Sequence, residues 1–165
     1  MAALRWIVCV LAVLVGVGYY GPRLHDGPLG MIPGGPLEAG EVVREPVADW
    51  AFAKDQREIE LQLDSQRQSR TVWFFVLDGK GYVPCSLGFP PGQIWHRQAV
   101  VNGAARLRIE GRLYPVMLTK LDDTIVQQMS DLVRAELTRK YTKLPPNQAS
   151  GVWLFQVTSH PSSAG

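Results

Sequence analysis

The side chains with most chemistry to offer gather in and just after the stretch SRTVWFFVLDGKGYVPCS, residues 69–86. Arg70 and Thr71 enter its first apolar run, Trp73 follows them, and Ser86 closes the second run. Trp95, His96 and Arg97 come next, after a Gly/Pro-rich loop. A guanidinium grips a phosphate with a planar fork, and hydroxyls add further donors. Large rings supply the flat apolar walls on which a few polar groups orient a planar ligand. Trp73, Phe74, Phe75, Tyr82, Phe89, Trp95, Tyr114 and Trp153 are many rings for a small domain. If the two runs pair symmetrically about DGKG, Arg70-Thr71 and Ser86 stand at the same end of one ladder. The spacing therefore points to a cofactor-binding site made of Arg70, Thr71, Trp73, Ser86, Trp95, His96 and Arg97. It assigns no residue to catalysis.

Plainer readings exist for each of these residues. Arg70 and Arg97 also suit solvated surface positions, Trp95 and Trp153 suit core, and His96 suits a satisfied structural site. Arg106 and Arg108 alternate on the outer face of a strand, as solvent or interface groups. Glu58 and Glu60 are the ordinary polar side of another strand. His25, His96 and His160 belong to no ligand-spaced motif, so no metal site is assigned. No nucleophile elbow, zincin helix or phosphate-binding loop occurs. GGPLEAG lacks the strand and helix that a dinucleotide fingerprint needs. Cys9 lies in the apolar N-terminus and Cys85 is alone in the remainder, so no disulfide is expected there. A buried, inert thiol is the main expectation for Cys85, and a thiol nucleophile the lesser one.

These residues need elements to hold them. The chain has 165 residues, 46% hydrophobic and 19% charged, with a formal charge of +2. That is one globular domain without a basic patch, and no nucleic-acid partner is expected. REIELQL alternates as a half-buried strand with Ile59, Leu61 and Leu63 inward. TVWFFVL and YVPCS form a hairpin about the Asp-Gly turn. AARLRIEG and RLYPVMLTKL form a second pair, with Pro115 marking an edge or a bulge. VWLFQVT is the last strand. A short helix is expected near Trp95. A longer one starts at Asp122 or Asp123, with Ile125, Val126, Met129, Leu132, Val133 and Leu137 on one stripe. The fold class predicted is mainly β: a six-or-more-stranded antiparallel barrel with a helix in the C-terminal half.

MAALRWIVCVLAVLVGVGYYG carries one charged side chain, Arg5, and the uncharged run Trp6–Tyr20 is 15 residues long. It reads first as an uncleaved transmembrane anchor, then as a signal peptide, and last as a buried helix. Arg5 and the amino terminus precede it, which predicts a single-pass membrane protein with a cytoplasmic N-terminus and an extracytoplasmic domain. The boundaries expected are 1–22 for this segment and 23–49 for a Gly/Pro-rich tether or wrapping segment. The domain follows over 50–160, with a tail at 161–165. Trp50 and Phe52 are expected to dock the wrapping segment.

SRTVWFFVLDGKGYVPCS, IWHRQAVVNGAARLRIEGRLYPVMLTKL and GVWLFQV together resemble the FMN-binding split-barrel superfamily. That is the pyridoxamine 5'-phosphate oxidase-like group, which includes deazaflavin-dependent nitroreductase relatives. The resemblance covers roughly residues 50–158 and implies a split β-barrel, a homodimer, and FMN or deazaflavin (less often haem) in a cleft between subunits. It implies a phosphate contact from an Arg before the turn and a Ser/Thr or Lys after it, places that Arg70 and Ser86 match. CSLGFPPG lacks the lysine common there. The function implied is a membrane-anchored flavin-type oxidoreductase or cofactor-binding protein. The alternative is a non-catalytic envelope interaction module on the same scaffold.

Overall fold

The computed structural model describes residues 2–88, 92–140 and 152–160. Phe89, the loop expected over 142–151 and the tail 161–165 lie outside the described residues. A long helix opens the chain: α1, Ala2–Leu24. Its Arg5–Leu24 part is long and apolar enough to cross a membrane, with a mean hydropathy of 1.7, and none of its most apolar window is buried.

The domain is built on strands β1 (Glu41–Val42), β2 (Glu58–Leu63), β3 (Ser69–Trp73), β4 (Phe75–Leu77) and β5 (Lys80–Ser86). After helix α2 (Trp95–Val101) come β6 (Ala104–Ile109), β7 (Arg112–Lys120), helices α3 (Asp123–Gln128) and α4 (Ser130–Lys140), and β8 (Val152–Ser159). The eight strands make one sheet in the order β3-β2-β6-β7-β8-β5-β4, with β1 beside the start of β7. Every pairing but that of β1 is antiparallel.

The sheet is open, not the closed barrel that six strands predict. The reason lies at Phe74, where one apolar run changes partner. Residues before it pair with β2, through Arg70 opposite Leu61 and Val72 opposite Ile59. Residues after it pair with β5, through Phe75 opposite Tyr82. Phe74 is fully buried, and its amide bonds the Arg57 carbonyl at 3.0 Å. The two ends of the strand order are thus one residue apart in the chain, so the sheet must curl. The Asp78-Gly79 turn has φ of 51° and 73°, and Glu110-Gly111 has 51° and 76°. Both pairs suit two-residue hairpins.

The main core lies on the inner face, with Leu61, Leu63, Phe74, Val83, Leu107, Val116 and Phe155 at its centre. A smaller cluster of Phe75, Tyr82 and Leu154 packs on the other face under Val126, Met129 and Val133. The helix expected as one stripe is broken after Gln128, and Ile125 and Leu132 are 41% and 56% exposed. Pro115 lies inside β7 and not at an edge. Its carbonyl accepts from His160 N at 3.0 Å, just beyond the last β7–β8 pair, so its missing N–H falls where that ladder ends.

The segment between α1 and the domain runs as a strap docked on the sheet. Gly34 N donates to Ser69 O at 3.1 Å, Gly35 N to His25 O at 2.8 Å, and Leu37 N to Gln62 Oε1 at 2.7 Å. A Cβ at Gly34 would stand 1.7 Å from the Gly27 carbonyl oxygen, so only glycine lets the strap fold onto itself there. Arg108, expected as a solvent or interface group, is 14% exposed and pairs with Asp26 at 2.6 Å and with Glu60. Trp50 is buried edge-on against Phe74 and Tyr114, while Phe52 stacks on Tyr114 half exposed.

Candidate functional site

Strand alternation sorts the predicted site residues. Leu61 is a core residue, so its partner Arg70 enters the inner face, and Thr71 and Trp73 turn to the outer one. Cys85 is also a core residue, so Ser86 turns outward. Ser86 pairs with Val152 and not with β3. The structure therefore divides the set. Arg70, Trp95 and His96 meet inside. Thr71, Trp73 and Ser86 stand outside, and Arg97 is exposed on α2. The hydroxyl of Thr71 donates to Gly30 O at 2.6 Å, which makes it a strap contact. The symmetric ladder that placed Arg70 beside Ser86 does not form, because pairing about DGKG stops at Phe75.

What does form is a half-buried cation on a ring. The Arg70 guanidinium carbon lies 5.7 Å from the centre of the Trp95 ring. Its Nη2 donates to Gln66 Oε1, and Gln66 Nε2 donates onward to Gln98 Oε1. Its Nε is buried with no partner, and no carboxylate answers the charge among the described residues. Burial lowers the Arg70 pKa to about 10, with Cys85 pulling the other way. Burial pushes the Cys85 thiol up to about 12, with Arg70 resisting. At neutral pH that sulfur is a protonated core group, and the thiol-nucleophile reading has no thiolate to work with.

Trp95 begins α2 and is 3% exposed. Its indole N–H donates to Gln93 Oε1 at 3.0 Å, and Gln93 Nε2 donates to Ser86 O at 2.8 Å. The ring is thereby tied to the end of β5. His96 is 3% exposed, edge-on to Trp153 at 5.1 Å and to Trp95 at 6.2 Å. Its Nδ1 has no hydrogen-bond partner among the described residues. Two buried polar atoms without partners thus flank the same indole. Buried donors and acceptors are nearly always satisfied, and an ordered water or a bound polar group is the ordinary way to satisfy such a pair.

Burial, then the nearby Arg97 charge, holds the His96 imidazole below its ordinary range. The unfolded chain takes that proton first, near a pKa of about 6.5, so stability falls as pH drops through that value. Urea midpoints at successive pH values check this. Wild type is expected to lose stability on acidification from neutral pH, and the His96→Gln variant to lose less.

The glutamines Gln66, Gln93 and Gln98 were not foreseen, since nothing in their spacing sets them apart from surface amides. A shallow hollow of about 270 Å³ lies on the outer face between Glu58, Glu60, Thr71 and Arg108. It does not reach Arg70 or Trp95. No family model matches the chain, and no curated protein matches it.

Proposed function

We propose that the chain is a membrane-anchored binding module of split-barrel type that takes a small planar anion at Arg70 and Trp95. The observation that carries this reading is the half-buried guanidinium over an indole, its Nε buried, with no carboxylate to answer it among the described residues. Evolution rarely leaves a charge in that state, and an anionic ring would supply both a counter-charge and a stacking face. The resemblance suggests FMN or deazaflavin as that ligand. The fit is to one charge and one flat surface. Ser86 stands on the opposite face, so the two-point phosphate grip implied by the resemblance is not assembled. We therefore derive no redox step. The role supported is binding, without a catalytic side chain.

The proposal includes an uncleaved α1 as anchor, with the N-terminus cytoplasmic and the domain extracytoplasmic, motivated by Arg5 ahead of the span. It also carries the homodimer that the resemblance implies. A filled inner core favours a second reading, a scaffold module with no small ligand. The visible spectrum of the full chain purified in detergent, followed by titration with FMN and with deazaflavin, separates the two. Flavin colour or saturable binding supports the first. A colourless protein that takes up neither ligand leaves the scaffold.

A further inference from the structure

We propose that residues 29–32, the turn at the tip of the strap, form a second membrane contact beside α1. The inference rests on the anchor reading above and adds a surface to it. Leu29 and Ile32 exchange backbone hydrogen bonds of 3.0 and 3.1 Å, which closes a small finger over Gly30 and Met31. The apolar side chains point into solvent: Leu29 is 44% exposed, Met31 71% and Ile32 55%. Such clustering on a protein of ordinary polarity marks a contact surface.

The lipid surface is the occupant because of where the finger is fixed. Its base, Gly35, bonds the His25 carbonyl at 2.8 Å, and His25 N bonds the Pro22 carbonyl at 3.2 Å. The finger is thus tied to the last turn of the helix that ends at Leu24. The headgroup zone beyond the hydrocarbon is about 6 Å deep on each side, and five extended residues reach about 17 Å. The finger therefore sits within reach of the layer that the helix leaves. Thr71 Oγ1 bonded to Gly30 O and the glycines packed at 34 and 35 hold it to the sheet. A hollow of about 500 Å³ where α1 meets the base of the strap is lined by Arg23, His25, Asp26, Glu38 and Arg67. That mixed charge faces headgroups well, as Arg and Lys at helix ends do. With helix and finger both in the lipid, the domain has two points of attachment and a fixed face toward the membrane.

The test uses the full chain in nanodiscs of phosphatidylcholine and phosphatidylglycerol, with lipids brominated on the acyl chain as quenchers. An environment-sensitive fluorophore is attached in detergent at Cys9, or in a Cys9→Ser background at Met31→Cys or Asp55→Cys, before reconstitution. Cys85 is buried and stays unlabelled. The expected result is quenching at positions 9 and 31 and none at 55. Quenching at 9 without quenching at 31 overturns the finger and keeps the anchor. Quenching at 31 without quenching at 9 keeps the finger and overturns the anchor. Quenching at neither overturns both, and equal quenching at 31 and 55 overturns the finger as a specific contact.

Discussion

Arg70→Met is expected to weaken binding of the planar anion by about 100-fold while raising, not lowering, the stability of the unliganded protein. Holding an unanswered guanidinium where its pKa falls to about 10 costs on the order of 3 kcal/mol. Met fills similar volume without that cost, and replacing buried charges by apolar groups is often neutral or stabilising by about 1–4 kcal/mol. The lost stacking on Trp95 and the lost bond to Gln66 offset part of the gain. A net rise of about 1 kcal/mol in urea unfolding is the outcome expected. Affinity for the anion should fall by about 100-fold, because a charge-assisted contact contributes about 2–3 kcal/mol. A variant several kcal/mol less stable than wild type would mean that the cation has a strong protein partner, contrary to the geometry.

Arg108→Ala is expected to cost about 3 kcal/mol and to loosen the strap. The side chain joins three parts of the chain. Nη1 reaches Asp26 Oδ2 at 2.6 Å and Ala39 O at 3.2 Å, and Nε donates to Glu60. Asp26 in turn accepts from Glu38 N at 2.7 Å and Ala39 N at 3.3 Å. Burial alone would raise the Asp26 carboxyl, but these donors together hold it below its ordinary range. Removing the guanidinium leaves two carboxylates facing each other across the strap with nothing between them. Both are partly exposed, at 37% for Asp26 and 30% for Glu60, which keeps the cost toward the lower end for a broken pair. Hydrogen exchange reads the effect locally. The amides of Gly34, Gly35 and Leu37 should exchange faster in the variant, while Leu107 and Val116 in the core change little. Equal protection at all of these sites would show that Arg108 does not hold the strap.

The strands were legible because period-2 alternation and turn residues report on a half-buried sheet. Ile59, Leu61 and Leu63, the Asp78-Gly79 turn, and Leu107 with Ile109 all stand as their pattern indicates. Register was less legible. TVWFFVL is apolar on both faces, so its pattern does not say that Phe74 hands the strand from β2 to β5. That single switch moved Arg70 away from Ser86 and opened the sheet. Alternation still contained a warning. Arg70 lies two residues before Val72, and Ser86 follows Cys85, so the two polar groups were one step out of phase with each other's core neighbours. The strap was illegible for another reason. Gly and Pro at 27–36 fit a tether as well as a wrap, and only the remote partners Ser69, Thr71 and Arg108 decide between them.

The central claim is that Arg70 and Trp95, on the inner face, are the binding site, and that Ser86 on the outer face is not part of it. Calorimetric titration of FMN into the full chain in detergent, beside Arg70→Met and Ser86→Ala, tests it most directly. The account predicts similar saturable binding to wild type and to Ser86→Ala, and binding about 100-fold weaker to Arg70→Met. Wild-type affinity in Arg70→Met, or binding lost in Ser86→Ala, would contradict it.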